Sequence, residues 1–376
     1  MKKSILIVSG SFHPVISARS FRTTELAKEF VRQGHDVQVI IPQRSKIHDE
    51  FEKEYGVKIK DIGKLFLPNI NLGVTGFKRL FKRIVKRGLN LFFEYPNIQL
   101  MPLTYKRLKE EKGYDILITV AVPFPIHWGA AFAYKKFNIS NVWVADCGDP
   151  YMQSEHDTFS KMFYFQYLEN LFLKRADYVT VPFEEMKRLF NSDYKEKYKV
   201  IPQGVRVQDF KRSSELNQNE VPTFIYSGSI MPGKRDPFEI IEHLETNKIE
   251  YRFIFYTRQE YLFEKYKNIV GKRIILKNYI PRKDLIFELS KADFLVNVNT
   301  AKSEDNEINA IPSKLMDYTL SSRPIFSYEF GNFDSHVFEK FLAGDYSGKF
   351  EVENFDRYRI ENVAKKFVDL YETKKS

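Results

Sequence analysis

The stretch IYSGSIMPGKRDP spans residues 225–237. It reads as the end of a β-strand, a glycine at Gly228, a short loop, and a helix expected to open beside Lys234 and Arg235. A cation at a helix N-terminus works against the helix dipole. The placement makes sense when an external anion lies between them, because backbone N–H groups and an ammonium then share one phosphate. A solvated lysine on a turn is the plainer alternative. The same strand–loop–helix plan opens the chain, where ILIV (5–8) leads into SGSFHPVISARSFR (9–22). There Gly10 and Ser11 let the backbone come close to a ligand, although an ordinary turn accounts for them equally well. Neither loop is a G-x-G-x-x-G fingerprint, which disfavours a nicotinamide cofactor.

Apolar runs at 36–41, 115–120, 141–146 and 176–181 read as further strands between helical patterns. One such helix, 22–34, places Leu26, Phe30 and Val31 on one face and Gly34 at its C-cap. After about residue 200 the scheme restarts, with runs at 223–228, 251–257, 273–278, 293–299 and 323–328 and helices at 236–246, 282–291 and 313–321. Such alternation predicts an α/β protein of parallel sheets covered on both faces. The restart predicts two doubly wound Rossmann-like domains, 1–200 and 201–354, facing a central cleft lined by strand-end loops. A C-terminal helix within 355–376, with Val363, Phe367, Leu370 and Tyr371 on one face, is expected to pack back on the first domain.

The composition is that of a soluble globular chain, with 376 residues, 43% hydrophobic and 29% charged. Cys147 is the single cysteine, so no intramolecular disulfide and no cysteine-based zinc site is expected. The apolar run after Lys2 and Lys3 is too short for a signal peptide, and no stretch approaches a spanning helix. A cytoplasmic protein is therefore expected. The net charge of +10 favours an anionic partner. Much of it is concentrated in FKRLFKRIVKR (77–87), which has six basic residues and no acidic one. Its apolar positions Phe77, Leu80, Phe81, Ile84 and Val85 follow amphipathic-helix spacing. No nucleic-acid module surrounds it, so nucleic acid is the least favoured partner.

The third motif is INAIPSKLMDYTLSSRPIF (308–326). Pro312 suits a first helical turn. Asp317, one turn beyond Ser313, is a carboxylate near a strand-end cleft that can accept hydrogen bonds from paired hydroxyls, as in ribose recognition. On its own it reads rather as a helix-surface aspartate.

Together these segments, with GHDVQVIIP (34–42) and VIPQGVRVQDF (200–210), resemble a retaining GT-B-fold glycosyltransferase of glycosyltransferase family 4. The resemblance runs from Ile5 to about Tyr328. It implies transfer of a sugar from a nucleotide-diphosphate-sugar donor to a glycan or lipid-linked acceptor, in cell-surface polysaccharide or glycoconjugate synthesis. The second domain would bind the donor and the first the acceptor, with no cofactor and no essential metal. Lys234 matches the lysine that holds the donor diphosphate, Asp317 the second acid of the family's E-x7-E motif, and Ser313 and Lys314 would flank the nucleotide. Two positions depart from the pattern. Ser229 replaces the usual arginine, leaving Arg235 or Arg258 to supply a second cation. Asn309 replaces the first acid, with Glu304 and Glu307 nearby.

In the first domain His127, Asp146 and Asp149 fall on strand-end loops where similar proteins face the acceptor. Either aspartate would position or deprotonate an acceptor hydroxyl, while His127 reads also as a packing residue. A GT-B sugar-nucleotide epimerase and a non-catalytic, degenerate transferase that binds a partner are the rival readings. In this setting the basic helix, through Phe77, Lys78, Arg79, Phe81, Lys82, Arg83 and Ile84, is expected to dock peripherally on the anionic inner face of the cytoplasmic membrane. Packing of its apolar stripe on its own domain is the alternative.

Overall fold

The computed structural model describes residues 1–70, 77–153, 161–213, 219–300 and 313–375. The chain divides into two compact units, Met1–Val205 with Asp356–Ser376, and Arg206–Phe355. Unit 1 begins with β1 (Ser4–Ser9), α1 (Ala18–Arg32), β2 (Asp36–Ile41), α2 (Lys46–Tyr55), β3 (Lys58–Asp61), α3 (Phe77–Phe93) and α4 (Leu100–Leu108). It continues through β4 (Tyr114–Ala121), α5 (Pro125–Ala133), β5 (Ser140–Cys147), α6 (Phe165–Arg175), β6 (Tyr178–Val181) and β7 (Tyr198–Val200). Unit 2 carries β8 (Thr223–Ser227), α7 (Phe238–Thr246), β9 (Arg252–Tyr256), β10 (Ile274–Lys277), α8 (Arg282–Leu289), β11 (Phe294–Asn299), α9 (Ser313–Ser321), β12 (Ile325–Glu329) and α10 (Ser335–Leu342). The chain then returns to unit 1 as α11 (Ile360–Lys375).

Both sheets are parallel and both are doubly wound. Unit 1 runs β3-β2-β1-β4-β5-β6-β7 and unit 2 runs β10-β9-β8-β11-β12. The order turns back at β1 in the first sheet and at β8 in the second, so the crevices suited to ligands open beyond β1/β4 and β8/β11. Apolar strands result because helices cover both faces. Along β1, Ile5 and Ile7 enter one core with Leu26, Phe30 and Phe367, while Leu6 and Val8 enter the other with Trp128 and Trp143. Unit 2 fills its main core with rings, Phe224 lying 4.4 Å from Phe253 and stacked 4.8 Å from Phe294.

The caps follow local chemistry. Ser17 Oγ accepts the Ser20 N–H at 3.1 Å, and Gly34 takes the left-handed conformation (φ +85°) just past the end of α1. The helix expected from residue 236 begins at Phe238 instead. Asp236 spends its carboxylate on the N–H groups of Gly233 (2.6 Å) and Phe238 (3.3 Å), and the preceding backbone closes a turn between Met231 and Arg235. Lys234 and Arg235 therefore stand in a loop rather than in a helical first turn. The short edge strands β3 and β7 carry lysines that break the apolar run, so the sequence pattern does not mark them.

α11 completes unit 1. Phe367 meets Phe30 edge-on at 6.3 Å, Tyr371 donates to Asp115 at 2.8 Å, and Lys3 pairs with Glu372 at 2.6 Å. Where the chain leaves and re-enters, Val205 N–H donates to the Tyr358 carbonyl (2.8 Å) and Ile360 N–H to that of Val205 (3.0 Å). Gly204 is needed there, since a Cβ would lie 2.4 Å from Ile360 Cδ1. Among the described residues no helix is long and apolar enough to cross a membrane.

Candidate active site

In unit 2 the switch point is closed from below by Tyr318 of α9. Its hydroxyl accepts the Ser227 N–H at 2.8 Å and donates to the Val296 carbonyl at 3.1 Å, satisfying the backbones where β8 and β11 part. One turn earlier, Lys314 lays its ammonium over the Tyr226 ring, 4.6 Å from the centroid. Its stem passes Gly228, whose φ of +124° is open to glycine and strained for other residues. Burial, with Arg235 adding repulsion, pushes the Lys314 ammonium down to about 7. Arg235 Nε is sealed from solvent and has no hydrogen-bond partner among the described residues. Two cations with no counter-ion among the described residues thus converge, Lys314 beside the strand-end glycine, an arrangement completed by an anion. Lys234 is exposed. Asp317, half-buried on α9, accepts from Arg282 at 2.7 Å through one oxygen. Burial raises the Asp317 carboxyl against the opposing pull of Arg282. Nearby, Arg258 stacks on the exposed ring of Tyr279 at 5.0 Å, at the ends of β9 and β10.

In unit 1 the loops after β1 and β4 lie together. A Cβ on Gly10 would fall 2.4 Å from Cδ of Pro123, so the space that Gly10 opens is taken up by this proline. Ser11 Oγ and Ser17 Oγ share a hydrogen bond of 3.0 Å. Asp146 is fully engaged. Arg22 Nε and Nη2 reach its two oxygens at 3.0 and 2.8 Å, and Thr180 adds a third donor at 2.7 Å. Arg22 also donates to the carbonyls of Ile201 (3.1 Å) and Pro202. Burial works to raise the Asp146 carboxyl, but Arg22 wins and holds it below the usual range. With both partners only 2–3% exposed, this pair is a structural clamp, which argues against the expected role of Asp146 as a base. His127 is also fully buried, between Thr119 Oγ1 (2.7 Å) and Cys147 Sγ (3.5 Å), and burial pushes it down to about 3. A neutral imidazole sealed in the core matches the packing alternative. Asp149 remains half-exposed, and its neighbour Gly148 lies directly under the Arg19 guanidinium.

The profile of Glycosyltransferase Family 4 matches residues 21–209, half of the chain. The chain belongs to glycosyltransferase family 4. Solved structures of similar fold include the lipopolysaccharide outer core galactosyltransferase WaaB in its apo form, at 14% identity, TM-score 0.57 and 99% coverage of both chains. A glycosyltransferase from Rickettsia africae ESF-5 is similar at 13% identity and TM-score 0.58, covering 99% of this chain and 98% of that one. TarM is similar at 10% identity and TM-score 0.57, with 99% of each chain covered. No curated protein matches. At such identities the likeness concerns the fold, and it is the GT-B fold.

This glycosyltransferase also buries charged groups that no motif points to. Arg22 lies on the apolar stripe of α1, at i with Leu26 and Phe30 at i+4 and i+8, a spacing that already marks it as buried. Glu169 does the same on α6, in register with Phe165, Phe172 and Leu173. It is 4% exposed and accepts the Met152 N–H at 3.4 Å, with no cation paired to it among the described residues. On the other side of that loop, Tyr151 donates to the buried Glu94 at 2.9 Å, and Lys161 pairs with Glu94 at 2.8 Å. Burial pushes the Glu169 carboxyl up to about 7 from 4.5. The folded enzyme therefore holds a proton that the unfolded chain releases between these pH values, and stability contributed here falls as pH rises through that window. The Glu169→Gln variant is expected to gain on the wild type between pH 5 and pH 8 in denaturant melts; a constant difference would show that Glu169 is ionised throughout.

The expected docking helix is formed as α3, and its apolar stripe is uncovered: Leu80 is 52% exposed, Phe81 and Ile84 62% and Val85 37%. Among the described residues, none buries these four side chains in the core of unit 1. Arg79, Lys82 and Arg83 are exposed as well, while Phe77 and Lys78 open the helix. Ser313 is the first residue of α9. Asn309, Glu304 and Glu307 lie outside the described residues.

Proposed function

We propose that the enzyme transfers a sugar, with retention of configuration, from a nucleoside-diphosphate sugar to a glycan or lipid-linked acceptor. The observation that carries this reading is the pair Arg235 and Lys314 at Gly228, which has no counter-ion among the described residues. Departure of the diphosphate leaves negative charge on its oxygen, and cations already fixed at that point stabilise it without reorganising. Lys314 takes the part of the arginine that Ser229 lacks, and Lys234, exposed in the same loop, reaches the outer phosphate oxygens. The second oxygen of Asp317 accepts ribose hydroxyls while Arg282 holds the first. The Tyr279 ring with Arg258 offers a stacking face to the base. On the acceptor side Asp149 orients the attacking hydroxyl. A TarM mutant has been solved in complex with UDP, which supports a nucleoside diphosphate as the ligand class.

Calorimetry with UDP, ADP and GDP, each against its nucleoside, tests the reading. One diphosphate should bind and its nucleoside should be much weaker; failure of all three overturns the donor site.

The exposed stripe and cations of α3 serve peripheral docking on an anionic bilayer, close to a lipid-linked acceptor. Phe81→Ser with Ile84→Ser is expected to reduce co-sedimentation with phosphatidylglycerol vesicles at low salt by roughly tenfold or more, since two side chains lose their burial. Equal binding by this variant would remove α3 from the docking face.

A further inference from the structure

We infer that the start of α6 is a second membrane-contacting element, and that it joins the C-terminal end of α3 in one aromatic surface seated on an anionic bilayer. This rests on the docking reading of α3 and extends it to a segment that no motif singled out. Phe163 is 75% exposed, Tyr167 72% and Tyr164 37%, alongside Phe93 at 62% and Phe92 at 46%. The two elements are physically joined, because the Tyr164 hydroxyl donates to the carbonyl of Phe92. Ring contacts continue the surface within each element, Phe163 to Tyr164 at 5.6 Å and Phe92 to Phe93 at 6.5 Å.

Charge separates a bilayer from other occupants. Across 77–94 and 161–175 the sequence holds only two carboxylates, Glu94 and Glu169. Both are turned inward, 5% and 4% exposed. Among the described residues, the outward face of these segments presents rings and cations, the complement of an anionic leaflet. Tyrosine and phenylalanine suit that depth, with ring bodies among the acyl chains and the Tyr hydroxyls at the headgroups. A single helix leaves rotation about its own axis free, whereas two joined elements set one orientation. Glu94, which follows Phe93, accepts from Tyr151, so the surface adjoins the loop that carries Asp149. An acceptor anchored in the leaflet would then meet that loop directly.

The full-length protein is tested on vesicles of phosphatidylglycerol and phosphatidylcholine at low salt. Phe163→Ser with Tyr167→Ser is expected to weaken binding roughly tenfold or more with α3 intact. As a second readout, Phe163→Cys carries an environment-sensitive fluorophore; the natural Cys147 is fully buried and escapes labelling. Its emission should shift to the blue on vesicle addition. If α3 variants lose binding while the α6 double variant binds like wild type and the label does not shift, the inference falls and the docking reading of α3 stands. If the wild type ignores vesicles altogether, the docking reading falls and this extension with it. If the wild type is a dimer without vesicles and the α6 variant is a monomer, the surface joins two copies and the inference is overturned.

Discussion

Replacing Lys314 by methionine is expected to weaken nucleoside-diphosphate binding by roughly 30- to 1,000-fold, the range for removing one charged partner from a desolvated contact. The free protein should be as stable as before or more so. Lys314 is held over Tyr226 with Arg235 beside it and no carboxylate within reach among the described residues. Its ammonium sits at about 7 in the fold against 10.5 in an open chain. The folded state thus binds fewer protons across that window, and stability contributed at this position rises with pH there. In Lys314→Met that rise should disappear. An arriving diphosphate restores the proton, so at pH 8 the wild-type binding enthalpy should vary with the ionisation heat of the buffer, and the variant's should not. A structural lysine would show the reverse, with stability lost and binding kept. Calorimetry and thermal melts on the same samples separate the two outcomes, and unchanged affinity in Lys314→Met would sink the cation assignment.

The second large effect is on stability. Asp146→Ala is expected to cost about 3–5 kcal/mol, because it leaves the Arg22 guanidinium buried without its counter-charge. For a domain of this size that is a fall in melting temperature on the order of 10 °C. The carbonyls of Ile201 and Pro202 would still accept from Arg22, but they cannot neutralise it. Exchanging both partners for apolar residues, as in Arg22→Met with Asp146→Leu, should recover much of the loss, since no orphaned charge remains. Circular dichroism melts of the single and double variants give the answer. A single variant that melts with the wild type would mean that the pair holds nothing together.

The fold was legible because α/β alternation is a local signal repeated many times. ILIV, DVQVII and DILITV announce buried strands, and the restart at 223 announces a second sheet. What local pattern cannot encode is which strand ends become neighbours. Arg235 and Lys314 come together only because β8 pairs with β11. The contact of Arg22 with Asp146 bridges 124 positions. Their separate places on strand-end loops and helices were readable, but not the partnership that occupies Asp146 and leaves Lys314 without a counter-ion among the described residues. The periodicity of α3 likewise reports an apolar stripe without saying what covers it. The sharper clue in the sequence is a charged residue on the apolar stripe of a helix, as at Arg22 and Glu169, because burial there demands a partner or a held proton.

The return of α11 also has a consequence for biosynthesis. Unit 2 is threaded through unit 1 as an insertion, residues 206–355 emerging before the helix that covers Phe30. At roughly 5–20 residues per second, the ribosome spends on the order of 10 s on that insertion. Throughout this interval the nascent first domain displays the bare site that Phe367 and Tyr371 will cover. Folding from the N-terminus therefore stalls one helix short of completion, and the enzyme's dependence on chaperones should peak in that interval rather than at the end of synthesis.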